Sequence, residues 1–233
     1  ASVNYFFTER KRGDGVYFDN VRGYSRPAGN LQFDPNMPYF LLPGHVYDDY
    51  LRRKSQYWGV KGDWTSQVDR YHQLKGGLGG EYHTLRYYDA YFPVNMEYDA
   101  NGNLVSGAED IDRYGFDELG QKDVNDDVDG AKHPKTVFLF AQDKYEREGV
   151  IVNGGLRFDY INVDTPALAS EQYPLGPPPD DSLQSADLTP NKTYSRLSPR
   201  LGVAFPVTDK TLLRVNYGQF YQQINLQDLY VSY

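Results

Sequence analysis

Residues 150–160 read VIVNGGLRFDY, and the alternation within them decides the fold. Val150, Val152, Leu156, Phe158 and Tyr160 share one parity, while Ile151, Asn153, Gly155, Arg157 and Asp159 share the other. Successive side chains of a strand point to opposite faces, so this segment predicts a strand with one apolar and one largely polar side. The same period extends outward along the chain. Upstream, Trp58, Val60 and Trp64 oppose Tyr57, Gly59, Lys61 and Asp63, and Leu74, Gly76, Leu78, Gly80 and Tyr82 oppose Gln73, Lys75, Gly77, Gly79 and Glu81. Downstream, Leu197, Leu201, Val203 and Phe205 oppose Ser198, Arg200, Gly202 and Ala204, and Leu213, Val215 and Tyr217 oppose Arg214, Asn216 and Gly218. Residues 136–146 also predict a strand, but Phe138 and Phe140 compete with Val137 and Leu139, which leaves its faces unassigned. With residues 2–8 included, about seven strands of roughly ten residues result, the length a tilted strand needs to cross a bilayer.

The connections between these strands sort by length. Residues 66–70, 147–149 and 206–210 form short connections, and residues 9–54, 86–135 and 162–194 form long ones, in strict alternation. In an up-and-down antiparallel order all short turns then fall at one rim and all long loops at the other, as in a transmembrane β-barrel. A soluble sandwich has no physical reason to segregate its loops this way, and a compact domain rarely carries several long structureless connections. The polar faces hold Lys61, Asp63, Lys75, Glu81, Arg157, Asp159, Arg200 and Arg214. In a dry sandwich core each unpaired ion would cost several kcal/mol. A wet lumen removes that penalty, so these eight are the candidate lumen-facing residues. The fold class expected is all-β, an antiparallel up-and-down transmembrane barrel segment with long extracellular loops.

Composition is consistent with that reading. The 233 residues carry 22 Tyr, 12 Phe and 22 Gly, a β-rich and aromatic balance. Mean hydropathy is −0.69, and no stretch approaches the roughly 20 apolar residues a membrane helix requires. A net charge of −8 argues against a nucleic-acid surface, which needs a basic field to displace phosphate counterions. Cysteine is absent, which removes disulfides, thiolate metal sites and thiol nucleophiles. The chain opens at Ala1 straight into an apolar run and stops at Tyr233, so residues missing on both sides are expected.

Other motifs have two readings each. KGGLGG at residues 75–80 lacks the Lys-Ser/Thr ending of a phosphate loop, and glycines that relieve crowding in a curved strand are the alternative. DVNDDVD at residues 123–129 offers hard oxygen donors that suit Ca²⁺, with Asp123, Asn125, Asp127 and Asp129 as candidate ligands, or else is a solvated acidic loop. His45, His72, His83 and His133 show no metal-ligand spacing, no carboxylate pair is singled out, and no G-x-S-x-G elbow occurs, so no catalytic residue is nominated and an enzyme is not expected. Trp58, Trp64, Tyr82, Tyr145 and Tyr160 fall near strand ends, as membrane-interface aromatics do, or pack across strands. Tyr87, Tyr88 and Tyr91 either contact a ligand or pack within a loop.

Two longer runs carry a family resemblance. FAQDKYEREGVIVNGGLRFDY, residues 140–160, resembles the strand-turn-strand signature of TonB-dependent receptor barrels, and SPRLGVAFPVTDKTLLRVNYGQFYQ, residues 198–222, resembles a later hairpin of the same barrels. SQYWGVKGDWTSQVDRYHQLKGG, residues 55–77, and DGAKHP, residues 129–134, look like the Oar-like subgroup, whose members carry a carboxypeptidase-regulatory-like domain. The resemblance implies part of a larger, 22-stranded outer-membrane barrel with no resident cofactor, whose plug and TonB box lie outside these residues. It implies energised uptake of a bulky, scarce nutrient, a siderophore, glycan or peptide. Its implied partners are the TonB–ExbB–ExbD complex, outer-membrane lipid and lipopolysaccharide, and an unknown extracellular ligand. A non-transporting outer-membrane anchor and a soluble carbohydrate-binding sandwich are the alternatives.

Overall fold

The computed structural model describes residues 1–24, 33–34, 37–41, 48–125, 129–170, 172–173, 185–208, 210–221 and 225–230. Its strands, in chain order, are β1 (Ser2–Arg12), β2 (Phe33–Asp34), β3 (Met37–Leu41), β4 (Tyr50–Gln67), β5 (His72–Ala90), β6 (Glu97–Tyr98), β7 (Leu104–Ser106), β8 (Ile111–Tyr114), β9 (Lys135–Arg147), β10 (Val150–Asn162), β11 (Thr193–Thr208) and β12 (Thr211–Gly218). The helical segments among the described residues are short 3₁₀ turns, and no helix is long and apolar enough to cross a membrane. The principal sheet runs β1-β4-β5-β9-β10-β11-β12, with β8 pairing β5 off the path. An all-β antiparallel sheet of consecutive neighbours is therefore the observed architecture, with β1 and β12 as its end strands. The chain divides into two compact units, one of residues 1–6, 57–83 and 133–229 and one of residues 7–56, 84–132 and 230–233.

The first unit is the two-faced sheet. Each of its hairpins reverses where local chemistry dictates. Between β9 and β10 only Glu148 and Gly149 intervene, and both adopt positive φ, 53° and 83°. A two-residue hairpin whose twist matches its strands requires that conformation at both positions. Between β4 and β5 the Asp69 carboxylate accepts hydrogen bonds from the Tyr71 and His72 amides at 2.7 and 2.9 Å, and the Val68 amide closes the turn on the His72 carbonyl at 3.0 Å. Those amides, Tyr71 first, hold the Asp69 carboxyl below its ordinary pKa. Thr208 pairs with Thr211 across the third turn.

Register settles the phase that alternation left open in residues 136–146. Leu139 stands opposite Leu78 and Phe158, and Val137 opposite Gly80 and Tyr160, so both belong to the apolar face. Phe138 and Phe140 stand opposite Gly79 and Gly77 on the other face. Their rings occupy the space a side chain would need. A Cβ built on Gly79 would lie 2.6 Å from Phe138 Cζ, and one on Gly77 would lie 2.5 Å from Phe140 Cε1. Crowding by these two rings explains half of KGGLGG.

The second unit corrects the expectation of structureless connections at residues 9–54 and 86–135. β1 continues to Arg12, β4 begins at Tyr50 and β5 runs on to Ala90, so strand replaces part of both loops. Described residues of the connections join the ends of β4 and β5 in a core of Val21, Tyr24, Tyr50, Tyr88, Ala90, Met96 and Phe116, with Tyr24 edge-on to Tyr50 and Tyr50 edge-on to Tyr88, each at 5.8 Å. Tyrosine supplies most of the ring surface, because each ring buries a large apolar area while its hydroxyl finds a partner, as Tyr88 does by donating to the Glu118 carbonyl at 3.0 Å. Asp99 organises the loop between β6 and β7 by accepting from the Asn101 and Asn103 amides, each at 2.8 Å.

Replacing Gly79 by leucine is expected to destabilise the protein by about 1–3 kcal/mol, the usual cost of overpacking. Gly62→Leu, where a Cβ meets nothing within 4 Å, is expected to be tolerated. The urea midpoint of the folded full-length protein in detergent distinguishes the two, and equal midpoints would refute the packing of Phe138 on Gly79. For Asp69, a depressed folded pKa means stability that is complete above the ordinary carboxylate value of about 3.9 and is lost as pH falls through the folded value. The stability difference between wild type and Asp69→Asn, followed as unfolding midpoint against pH, should therefore favour wild type at pH 6 and shrink towards pH 3.

Candidate functional site

The sheet of the first unit presents two chemically different faces. On one, Trp58, Val60, Trp64, Leu74, Leu78, Val137, Leu139, Leu156, Phe158, Leu197, Leu201, Val203, Val215 and Tyr217 recur by parity and by paired register. Many are strongly exposed, including Leu78 at 60%, Trp64 at 57% and Leu197 at 58%. An exposed apolar surface this continuous marks contact with another apolar phase or partner. Its limits along β9 are Lys135 and Asp143, eight positions apart, roughly 26 Å of strand at about 3.3 Å per residue. At one limit Lys135 lies over the Tyr82 ring at 5.5 Å, and at the other His72 meets Asp143 at 2.8 Å beside Tyr145. The five aromatics nominated from sequence all sit on this face, Trp58, Tyr82 and Tyr160 towards the end of the longer connections, Trp64 and Tyr145 towards the tight turns.

The opposite face gathers the charges. Lys75 and Glu81 stand opposite Gln142 and Thr136, Asp159 opposite Arg196, Arg157 opposite Ser198, Arg200 opposite Gly155, and Arg214 opposite Ala204. Lys61 and Asp63 share the parity of Gly59, whose added Cβ would meet the Glu81 side chain at 3.5 Å. All eight nominated residues thus occupy one face.

They are not spread evenly over it. Glu81, Phe138, Arg157, Asp159, Arg196 and Arg200 line a concavity of about 660 Å³, completed by Tyr194, Phe220 and Tyr221. Arg157 is committed within it. Its guanidinium grips Asp159 with Nε 2.9 Å from both carboxylate oxygens and Nη2 2.8 Å from one, and lies 4.4 Å above the Phe138 ring. Arg196 and Arg200 instead lie over rings, Tyr221 at 5.5 Å and Phe220 at 4.8 Å. Among the described residues neither forms an ion pair.

Sequence inspection nominated Arg157, Asp159, Glu81 and Arg200 but missed Arg196, Phe138, Phe220 and Tyr221. For Arg196 the signal was present, since Arg196, Ser198 and Arg200 alternate in SRLSPR. The two rings after β12 were not legible, because Gln219 extends the ladder by donating to the Pro199 carbonyl at 3.2 Å beyond the regular strand.

In the second unit the acidic stretch meets cations of the protein itself. Asp123 accepts from Lys54 at 2.8 Å and faces Arg86 at 3.7 Å, Asn125 accepts from Arg86 at 2.6 Å, and Asp129 faces Arg113 at 3.8 Å. Among the described residues no group of three or more acidic or histidine side chains is placed to share a metal ion, and Asp127 lies outside them. Of the tyrosines nominated for ligand contact, Tyr88 is fully buried and Tyr87 stacks on Tyr114 at 5.8 Å, while Tyr91 is half exposed.

A two-faced antiparallel sheet with tight turns at one end is what a barrel wall requires, and comparison with protein families agrees. Residues 2–233 match the family described as TonB dependent receptor-like, beta-barrel. The chain belongs to the TonB-dependent receptor β-barrel family. That family comprises outer-membrane receptors and transporters, and the chain is a barrel domain of this kind. No curated protein and no solved structure matches it.

Proposed function

We propose that this chain forms barrel wall and outer loops of a transporter that takes up a bulky, scarce nutrient across the bacterial outer membrane. The carrying observation is the family match over residues 2–233, joined to a sheet that is apolar on one face and charged on the other. On this reading the face of Leu78, Leu139 and Phe158 meets lipid and lipopolysaccharide, bounded by aromatic girdles at Trp58, Tyr82 and Tyr160 and at Trp64 and Tyr145. The charged face lines the lumen. Hydrocarbon offers no hydrogen bonds, so the strands span it only as part of a closed ladder completed by further strands. Energy comes from the TonB–ExbB–ExbD complex acting on a plug domain elsewhere in the protein, and the second unit supplies the first contacts for the ligand. Residues 55–77 and 129–134 support placement in the Oar-like subgroup.

Leu139 sits at the middle of the apolar band, and an arginine there is expected to cost about 2–4 kcal/mol, as at the midplane of other barrels. Gln142→Arg, on the charged face of the same strand, is expected to change little. Unfolding in lipid vesicles by denaturant measures both, and a tolerated Leu139→Arg would sink the assignment of faces. For transport, growth on a limiting panel of iron chelates, cobalamin, oligosaccharides and peptides is compared in isogenic strains with the gene intact or deleted and TonB present or absent. At least one nutrient should require both. If none does, the protein anchors an assembly and transports nothing.

A further inference from the structure

Arg196 and Arg200 differ from the ion-paired cations on their face. Arg157 beside them is held by Asp159 through three short contacts, and Lys144 farther along the same face is held by Glu146 at 2.7 Å. Arg196 and Arg200 lie on rings, and among the described residues neither has a carboxylate within ion-pair distance, although Asp159, held by Arg157, stands opposite Arg196. A guanidinium lying on an aromatic face keeps its N–H edge free, and its planar fork matches a carboxylate with two parallel hydrogen bonds. Stacking also restricts the side chain beforehand, so less rotamer freedom is lost when an anion arrives.

The arrangement repeats. Arg196 and Arg200 are four positions apart on β11 and therefore on one face, roughly 13 Å between Cα atoms at about 3.3 Å per residue. Each is paired with its own ring from the segment after β12, Tyr221 and Phe220 in that order. Ser198 between them is almost fully buried, so the floor joining the two guanidinium groups is closed. The concavity above is about 660 Å³, within the range of small-ligand sites. The charges around it do not cancel: three arginines face two carboxylates, Glu81 and Asp159, and Asp159 is already taken. In a chain of net charge −8 this is a local reversal of sign.

We propose that the concavity is a binding site for an elongated organic dianion with a flat apolar body, one carboxylate received by Arg196 and the other by Arg200, with the body lying against Phe138, Phe220 and Tyr221. The site takes anions and rejects their neutral analogues. It names the ligand class for the transporter proposed above and so rests on that reading for its biological role, though not for its existence.

The test uses full-length protein in detergent and biphenyl-4,4′-dicarboxylate as probe, titrated calorimetrically, with biphenyl-4-carboxylate and the uncharged biphenyl-4,4′-dimethanol as comparisons. The dianion should bind the wild type at least tenfold more tightly than the monoanion, and the neutral diol should not bind measurably. Arg196→Gln and Arg200→Gln should each weaken the dianion about tenfold or more while leaving the monoanion bound through the remaining arginine. Arg200→Lys, which keeps the charge but not the fork, should fall between. Retention of the heat-modifiable folded band on electrophoresis shows that each variant is folded, and Phe220→Leu, which removes the ring alone, should weaken binding several-fold with both charges in place. Equal affinity for diol and dianion, absence of dianion binding to the wild type, or binding indifferent to both arginines overturns the proposal. Dianion binding that depends on both arginines, in a protein whose deletion affects no nutrient, would keep the site and sink the transport reading.

Discussion

Backbone amides and carbonyls must find partners, and in this chain they find them across strands, through an antiparallel ladder from β1 to β12. Every other property follows from how rigidly that ladder fixes side-chain parity. Once Leu139 stands opposite Leu78 and Phe158, each neighbouring residue is committed to one face or the other, and a slip by one position would exchange the two faces. An apolar face and a charged face can coexist on one sheet only because the period of two is kept without interruption over strands of 13 to 19 residues in its central part.

The ladder also explains how the charged face is kept tolerable. Arg157 reaches Asp159 two positions along its own strand, and Phe138 on the adjacent strand supplies a ring beneath the guanidinium. Glycines opposite Phe138 and Phe140 give those rings room to lie on the sheet. The charged face is thus a patterned surface of rings and ions, with aromatic area beside cations in several places. Such a surface can offer an ion pair to a solute without leaving its own charges unsupported when the solute is absent.

The second unit solves a different problem. Long connections carry backbone groups that a sheet does not pair and side chains that a strand does not order. Here tyrosines from β4 and β5 and from the connecting segments pack edge to face, Lys54 and Arg86 meet Asp123, and Arg113 meets Asp129.

By itself the sequence determined the strands of the main sheet, the two faces of most of them and the alternation of tight and long connections, because a period of two and turn residues are local properties. VIVNGGLRFDY needs no neighbour to reveal which side is apolar. Parity does not say which strand lies alongside, and so could not choose between Phe138 and Leu139 until Gly79 and Leu78 stood opposite them. It could not bring Phe220 to Arg200 or Tyr221 to Arg196, since those meetings depend on β12 lying beside β11 at a fixed register and continuing past Gly218. Nor could it show the core in which Tyr24, Tyr50 and Tyr88 meet, since these residues come from segments far apart in the chain. Only cross-strand register, a long-range property of the hydrogen-bonded sheet, decided these.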